Sequence, residues 1–123
     1  MILENTARSA ACDAVVDLLD GGSGAGYIEL QTSGGVEVAT LPLSATAFGA
    51  ASNGVATAAT ITNDTNATGG TVAKAAFFDS DDAKHFTMSV GTSGAEITIS
   101  STTIVASETV AITSCTVTCP AGT

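Results

Sequence analysis

The chain has almost no positive charge. Arg8, Lys74 and Lys84 are its only basic side chains against twelve acidic ones, for a net charge of −9. Nucleic-acid binding is driven by Lys and Arg contacts to phosphate. Three basic residues scattered along the sequence do not supply that, and anionic membranes are disfavoured for the same reason. Aromatic residues make up 4% of the chain, with no Trp and one Tyr. That argues against a sugar-binding platform, which needs exposed rings for stacking. Charged residues of either sign reach 12%, about half the usual share, so Thr, Ser and Gly must cover much of the surface. No run of apolar residues is long enough to span a bilayer as a helix. Met1-Ile2-Leu3 is followed by Glu4 and then by a helical pattern, which does not read as a secretion signal. The three cysteines, Cys12, Cys115 and Cys119, are an odd count, so at least one is unpaired in a monomer. Cys115 and Cys119 lie four residues apart in a strand-like run, roughly 13 Å when extended, beyond disulfide reach. All three are expected to be thiols, buried as small apolar groups.

What is present is a period of two. In the stretch from Ala83 to Pro120, Phe86, Met88 and Val90 share one parity, and His85, Thr87 and Ser89 the other. Gly91-Thr92-Ser93-Gly94 then reads as a turn, and Ala95, Ile97 and Ile99 resume the alternation. This predicts a hairpin of half-buried strands. The parity slips between Ile112 and Cys115, which predicts a bulge near Ser114. Upstream, strands are expected over Tyr27–Thr32 with Ile28 and Leu30 inward, and over Val36–Leu43 with Val36 and Val38 inward. Pro42 lacks an amide donor and belongs at a strand end or sheet edge. Residues 44–53 read as an irregular segment anchored by Phe48. Further strands are expected over Gly54–Thr62, Thr71–Phe78, Thr103–Val105 and Val110–Val117, with a polar turn at Asn63–Gly70.

One helix precedes them. Ala7, Ala10, Ala11, Ala14, Val15, Leu18 and Leu19 recur at three- and four-residue spacing between Asn5 and Asp20. They predict a thin buried stripe, with Asn5 as N-cap and Gly21-Gly22 as the stop. Asp17 and Asp20 sit at the unfavourable end of the helix dipole. The layout predicts a mainly β fold, an antiparallel β-sandwich or barrel-like domain with a short N-terminal α-helix. Residues 1–22 form the helical segment and 23–123 the β domain, one domain overall.

Motifs that carry chemistry are weak. The run Gly21-Gly22-Ser23-Gly24-Ala25-Gly26 resembles a phosphate loop only in composition. A helix precedes it, a strand follows, and no Gly-Lys-Ser/Thr comes after. Asp79, Asp81 and Asp82 form the densest acidic cluster, but an EF-hand loop needs Gly at its sixth position, where Lys84 stands, and Glu at its twelfth. A solvated hairpin tip is the expectation there. His85, the only histidine, falls on the outward parity beside Lys84 and is expected to be exposed. With Cys115 and Cys119 it makes a poor zinc set and no nucleophile–base arrangement. Asn63 and Asn66 begin glycosylation sequons inside a Thr-rich turn. No catalytic, cofactor-binding or metal-ligating residue is assigned, and no enzymatic activity is expected.

Several stretches resemble a group of small virion proteins of tailed bacteriophages and prophages: Gly24–Gly35, Ala39–Ala58, Phe77–Asp82 and above all Val90–Thr118 (VGTSGAEITISSTTIVASETVAITSCTVT). Ala73–Asp82 departs from the pattern, which carries an Arg among its hydrophobic residues. The resemblance implies a non-enzymatic structural protein of the virion, a capsid decoration (cement) protein without cofactor. It implies the major capsid protein as partner, a homotrimeric state, assembly in the host cytoplasm and a place on the capsid surface. A tail or neck component and a host-surface carbohydrate-binding module are the alternatives.

Cytoplasmic assembly keeps thiols reduced. Cells lysed directly into denaturant with an alkylating agent should yield protein labelled at three cysteines. A single label, with a bridged pair, contradicts that expectation.

Overall fold

The computed structural model describes residues 1–121; the last two residues of the expected 23–123 β domain lie outside the described residues. Helix α1 (Asn5–Asp17) runs into a 3₁₀ turn (Leu18–Asp20). Nine strands follow: β1 (Tyr27–Gln31), β2 (Glu37–Pro42), β3 (Val55–Thr57), β4 (Gly70–Thr71), β5 (Lys74–Phe78), β6 (Lys84–Gly91), β7 (Ile97–Ile99), β8 (Thr103–Ile104) and β9 (Ile112–Thr118). Seven of them form one sheet in the order β2-β1-β5-β6-β7-β9-β3, curled into a half-barrel, and β4 and β8 form a separate two-stranded ladder. The fold is mainly β with a short N-terminal helix, as expected.

Three bulges curl the sheet. The register skips one residue at Val38 between β1 and β2, at His85 between β5 and β6, and at Thr113 between β7 and β9. Each extra residue bends its strand and raises the local twist. The bulge at Thr113 is the one expected near Ser114, and its hydroxyl donates to the Thr98 carbonyl at 2.9 Å. The bulge at Val38 explains why Val38, Ala39 and Leu41 are all buried although they do not share a parity.

The interior of the curl holds the core. Ile28, Leu30, Val38, Leu41, Phe77 and Ile97 are wholly inaccessible. Phe48 anchors the irregular segment against Phe77, with ring centroids 6.3 Å apart, and Phe86 stacks on Phe77 at 4.6 Å. Pro42 ends the edge strand β2.

Both edges of the sheet are closed by the chain itself. Along β2, the Val38 carbonyl accepts the Thr68 and Gly69 amides, the Thr40 amide donates to the Asp64 carboxylate, and the Pro42 carbonyl accepts the Thr62 amide. Along β3, Ser52 and Val55 exchange both backbone hydrogen bonds, and the Thr57 carbonyl accepts the Gly49 amide. Asn53 (φ 52°) and Gly54 (φ 79°) form the two-residue link, the pairing that a type I′ hairpin requires. A sheet edge left open is a template for unwanted pairing.

Several expectations are corrected. β6 and β7 do not form a hairpin. They pair in parallel, Val90 beside Ile97 and Gly91 beside Thr98. Residues 92–96 bend twice, through Gly94 at φ 69°, and return the chain to its original direction. Val36 is 64% exposed because Thr32–Val36 is a turn closed by the Thr32 amide on the Val36 carbonyl, and the strand starts only at Glu37. The run from Gly54 to Thr62 forms a strand only over Val55–Thr57, with one further bridge from Ala58 to Phe48, and the one from Thr71 to Phe78 is broken at residues 72–73. The N-cap is Glu4, not Asn5, and Gly21 ends the 3₁₀ turn in a right-handed conformation (φ −75°).

The largest correction concerns α1. Its buried side chains are Cys12 and Val16, continued by Leu19. Ala7, Ala10 and Ala14 face outward, as do Val15 at 40% and Leu18 at 48% exposure. The helix is turned because its polar side chains are needed inward. Residues 47–54 are irregular, and the amides of Ala47, Ala51 and Gly54 turn to helix side chains. Asp20 accepts the Ala47 amide at 2.9 Å, Asp13 the Ala51 amide at 2.8 Å, and Ser9 the Gly54 amide at 3.0 Å. Arg8 Nε donates to the Cys119 carbonyl at 2.9 Å. Gly54 is required beneath this contact, since a Cβ there would lie 2.7 Å from Arg8 Nε.

Two adjacent leucines therefore separate. Leu19→Asp buries an unpaired carboxylate and should cost on the order of 3–5 kcal/mol in urea unfolding. Leu18→Asp should stay within about 0.5 kcal/mol of the parent. Equal losses would place Leu18 in the core.

Candidate functional site

The sequence points to three places where chemistry could reside: the acidic turn, the cysteines and the glycine-rich connector. The structure brings the first and third together. The β5–β6 turn is built around Asp79, which is buried. Its Oδ1 accepts the amides of Asp81 (2.9 Å) and Ala83 (3.1 Å), and its Oδ2 lies 2.8 Å from His85 Nε2. The bulge at His85 turns that ring from the expected outward position onto Asp79, leaving its side chain 21% exposed. The hydrogen bond from His85, followed by the backbone amides, holds the Asp79 carboxyl below its ordinary value.

The same turn grips the connector. Ser80 Oγ accepts the Gly24 amide at 3.1 Å, and Tyr27 donates its hydroxyl to Asp82 Oδ1 at 2.8 Å. Tyr27 also stacks on Phe78, with centroids 4.9 Å apart. Burial, with the Asp82 contact second, pushes the Tyr27 phenol up to about 12. A Cβ at Gly22 would lie 1.9 Å from Ser80 Oγ, and one at Gly26 2.3 Å from the Phe78 carbonyl. The glycines are there for close approach to this turn, a packing role that their composition alone does not reveal. Asp79 and Asp82 aim their carboxylates at protein donors. Among the described residues, no group of three His, Cys, Asp or Glu side chains is arranged to hold a metal.

The cysteines are all free thiols, Cys12 and Cys115 buried and Cys119 partly so. Burial, then the charge of Glu96, pushes Cys115 up to about 12, so it is inert at neutral pH. His85 is engaged with Asp79, on the opposite strand pair from Cys115. Asn63 and Asn66 are exposed on their turn.

Two surface features escaped the sequence reading. One is a cleft of about 240 Å³ where the β3–β9 ladder forks. The ladder ends at Thr57 beside Thr116, the Ala58 amide still reaches the Cys115 carbonyl at 3.0 Å, and residues 59–61 then part from residues 112–114, with Ala59 bonding to Ala47 and Thr62 to Pro42. No charged side chain lines it. The other is the outward face of α1, where Ala7, Ala10, Ala14, Val15 and Leu18 make an apolar strip on a strongly acidic protein. Periodicity detected this strip but assigned it to the core. The signal that distinguishes the two faces is the acids at Asp13 and Asp20, placed to meet amides of an irregular segment.

Comparison with protein-family models, curated proteins and solved structures finds no match to this chain.

The Asp79 turn generates a pH prediction. A depressed folded-state carboxyl contributes stability that is present above the unfolded value and lost as pH falls through the folded one. The gap in stability between the parent and Asp79→Asn should be constant near neutrality and shrink as pH drops below about 4. Urea midpoints across pH 2–7 measure it, and a gap independent of pH would show that the carboxylate charge is not used.

Proposed function

We propose that this protein is a non-enzymatic structural component of a phage virion, a capsid decoration protein that binds the outer surface of the head and stabilises it by contact area. The observation that carries the reading is the outward strip of α1. A charge-poor, acidic protein turns an apolar helix face outward while it closes both edges of its own sheet, so its available contact is side-chain packing. The resemblance of Val90–Thr118 to small virion proteins supplies the biological setting. The partner in this reading is the major capsid protein, and the protein acts as a homotrimer, a closed cyclic form suited to three-fold positions of a shell. Acidic charge suits the outer side of a shell, away from packaged DNA.

The energetics follow from number. A standard interface buries roughly 1,600 Å². Many copies bridging neighbouring capsomers resist the outward pressure of a packaged genome even when each binds modestly. Because the strip carries no basic group, the contact should tolerate salt.

Particles stripped of the protein should release DNA at a lower temperature than intact ones. Purified protein should restore the original temperature, in high salt as well. Leu18→Asp, which leaves the fold intact, should fail to restore it. Particles that carry only a few copies at the tail, with unchanged heat tolerance, would replace this reading with a tail component.

A further inference from the structure

The two ends of the chain meet through a ladder of contacts between α1 and the end of β9. Arg8 Nε reaches the Cys119 carbonyl at 2.9 Å, and one helical turn further on Cys12 Sγ lies 3.3 Å from the Val117 carbonyl. Helix and strand therefore run side by side in opposite directions, and Cys12 comes to rest on the strand two residues before Cys119. The Cys119 amide donates to the Gly54 carbonyl at 2.8 Å, and the Cys119 side chain packs against the core cluster to which Cys12 belongs. Cys119 lies just past the last residue of β9, ahead of Pro120, and is partly exposed. Cys12 is 1% exposed. Cys115 stands four residues back along the strand, roughly 13 Å from Cys119.

We propose that Cys12 and Cys119 form a redox-closable latch that joins the N-terminal helix to the C-terminal strand, with Cys115 as a bystander. The oxidant is a low-molecular-weight disulfide. The exposed Cys119 thiolate attacks it, a mixed disulfide forms on Cys119 and one small thiol leaves. The Cys12 thiolate then attacks the Cys119 sulfur, and the second small thiol leaves. Two protein thiols are oxidised to one disulfide, one small disulfide is reduced to two thiols, and the two protons end on those thiols. Burial holds the Cys12 thiol above its ordinary value, so the second step is the slow one. The latch is open in a reducing cytoplasm and closes when the protein meets oxidising surroundings. It does not depend on the virion reading; if that reading holds, closure follows release of the particle from its host.

The test uses the reduced full-length protein with oxidised glutathione. Mass spectrometry after alkylation should find Cys12 linked to Cys119 within one chain and only Cys115 labelled. The linked protein should melt roughly 10 °C higher or more, because the bridge closes a loop of more than a hundred residues, and dithiothreitol should reverse the shift. Cys115→Ala should keep both link and shift. Cys12→Ser should stop at a glutathione adduct on Cys119, and Cys119→Ser should lose the link. A stable glutathione adduct in the parent protein, three labelled cysteines after oxidation, or a Cys119 bridge between two chains would each overturn the proposal.

Discussion

The structure depends on supplying partners to backbone amides that no strand serves. Between β2 and β3 the chain runs as an irregular segment, anchored in the core by Leu43, Ala47 and Phe48. A buried amide without an acceptor costs about as much as a lost hydrogen bond. Asp13, Asp20 and Ser9 of the helical region supply the acceptors, and Arg8 completes the set on the β9 side. This need fixes the rotation of α1 about its axis, and that rotation decides which residues are core and which are surface. Asp20, which looks misplaced for the helix dipole, gains more from the Ala47 amide than the few tenths of a kcal/mol the dipole takes away.

The same logic closes the sheet. β2 and β3 are nominal edges, yet each carbonyl and amide named along them has a partner in a neighbouring loop. Sealing is achieved with short segments of Thr, Asn, Asp and Gly, residues that bond locally to backbone. A composition dominated by small polar residues is thus the material of edge closure as well as of surface.

Most of the β architecture was legible because alternation is a strong signal where one face is buried. Ile28, Leu30, Met88, Ile97 and Ile99 all face the core as their parity indicates, and the slip before Cys115 located a bulge. The helix face was misread for a physical reason. Alanine is as acceptable on a surface as in a core, so an alanine stripe has period but no preference. The parallel β6–β7 pairing was illegible because a four-residue glycine turn looks the same whether the chain reverses once or twice. The Asp79–His85 contact depended on a bulge at His85 that the uninterrupted alternation from Lys84 to Val90 does not announce. Asn53-Gly54, by contrast, was a readable hairpin signal inside a segment that looked merely irregular.

The meeting of α1 with β3 and β9 has a temporal consequence. Arg8 and Cys119 are separated by 111 residues. During synthesis the helix emerges long before its partner strand. β2 can be sealed once residue 69 is made, but β3 waits for β9. A chain stalled before Ile112 would leave β3 without its ladder partner and Arg8 without the Cys119 carbonyl. Such long-range pairing slows folding. The β3 end of the sheet therefore closes later than the β2 end, and a nascent chain of this kind offers β3 as an open edge until residues 112–118 have left the ribosome.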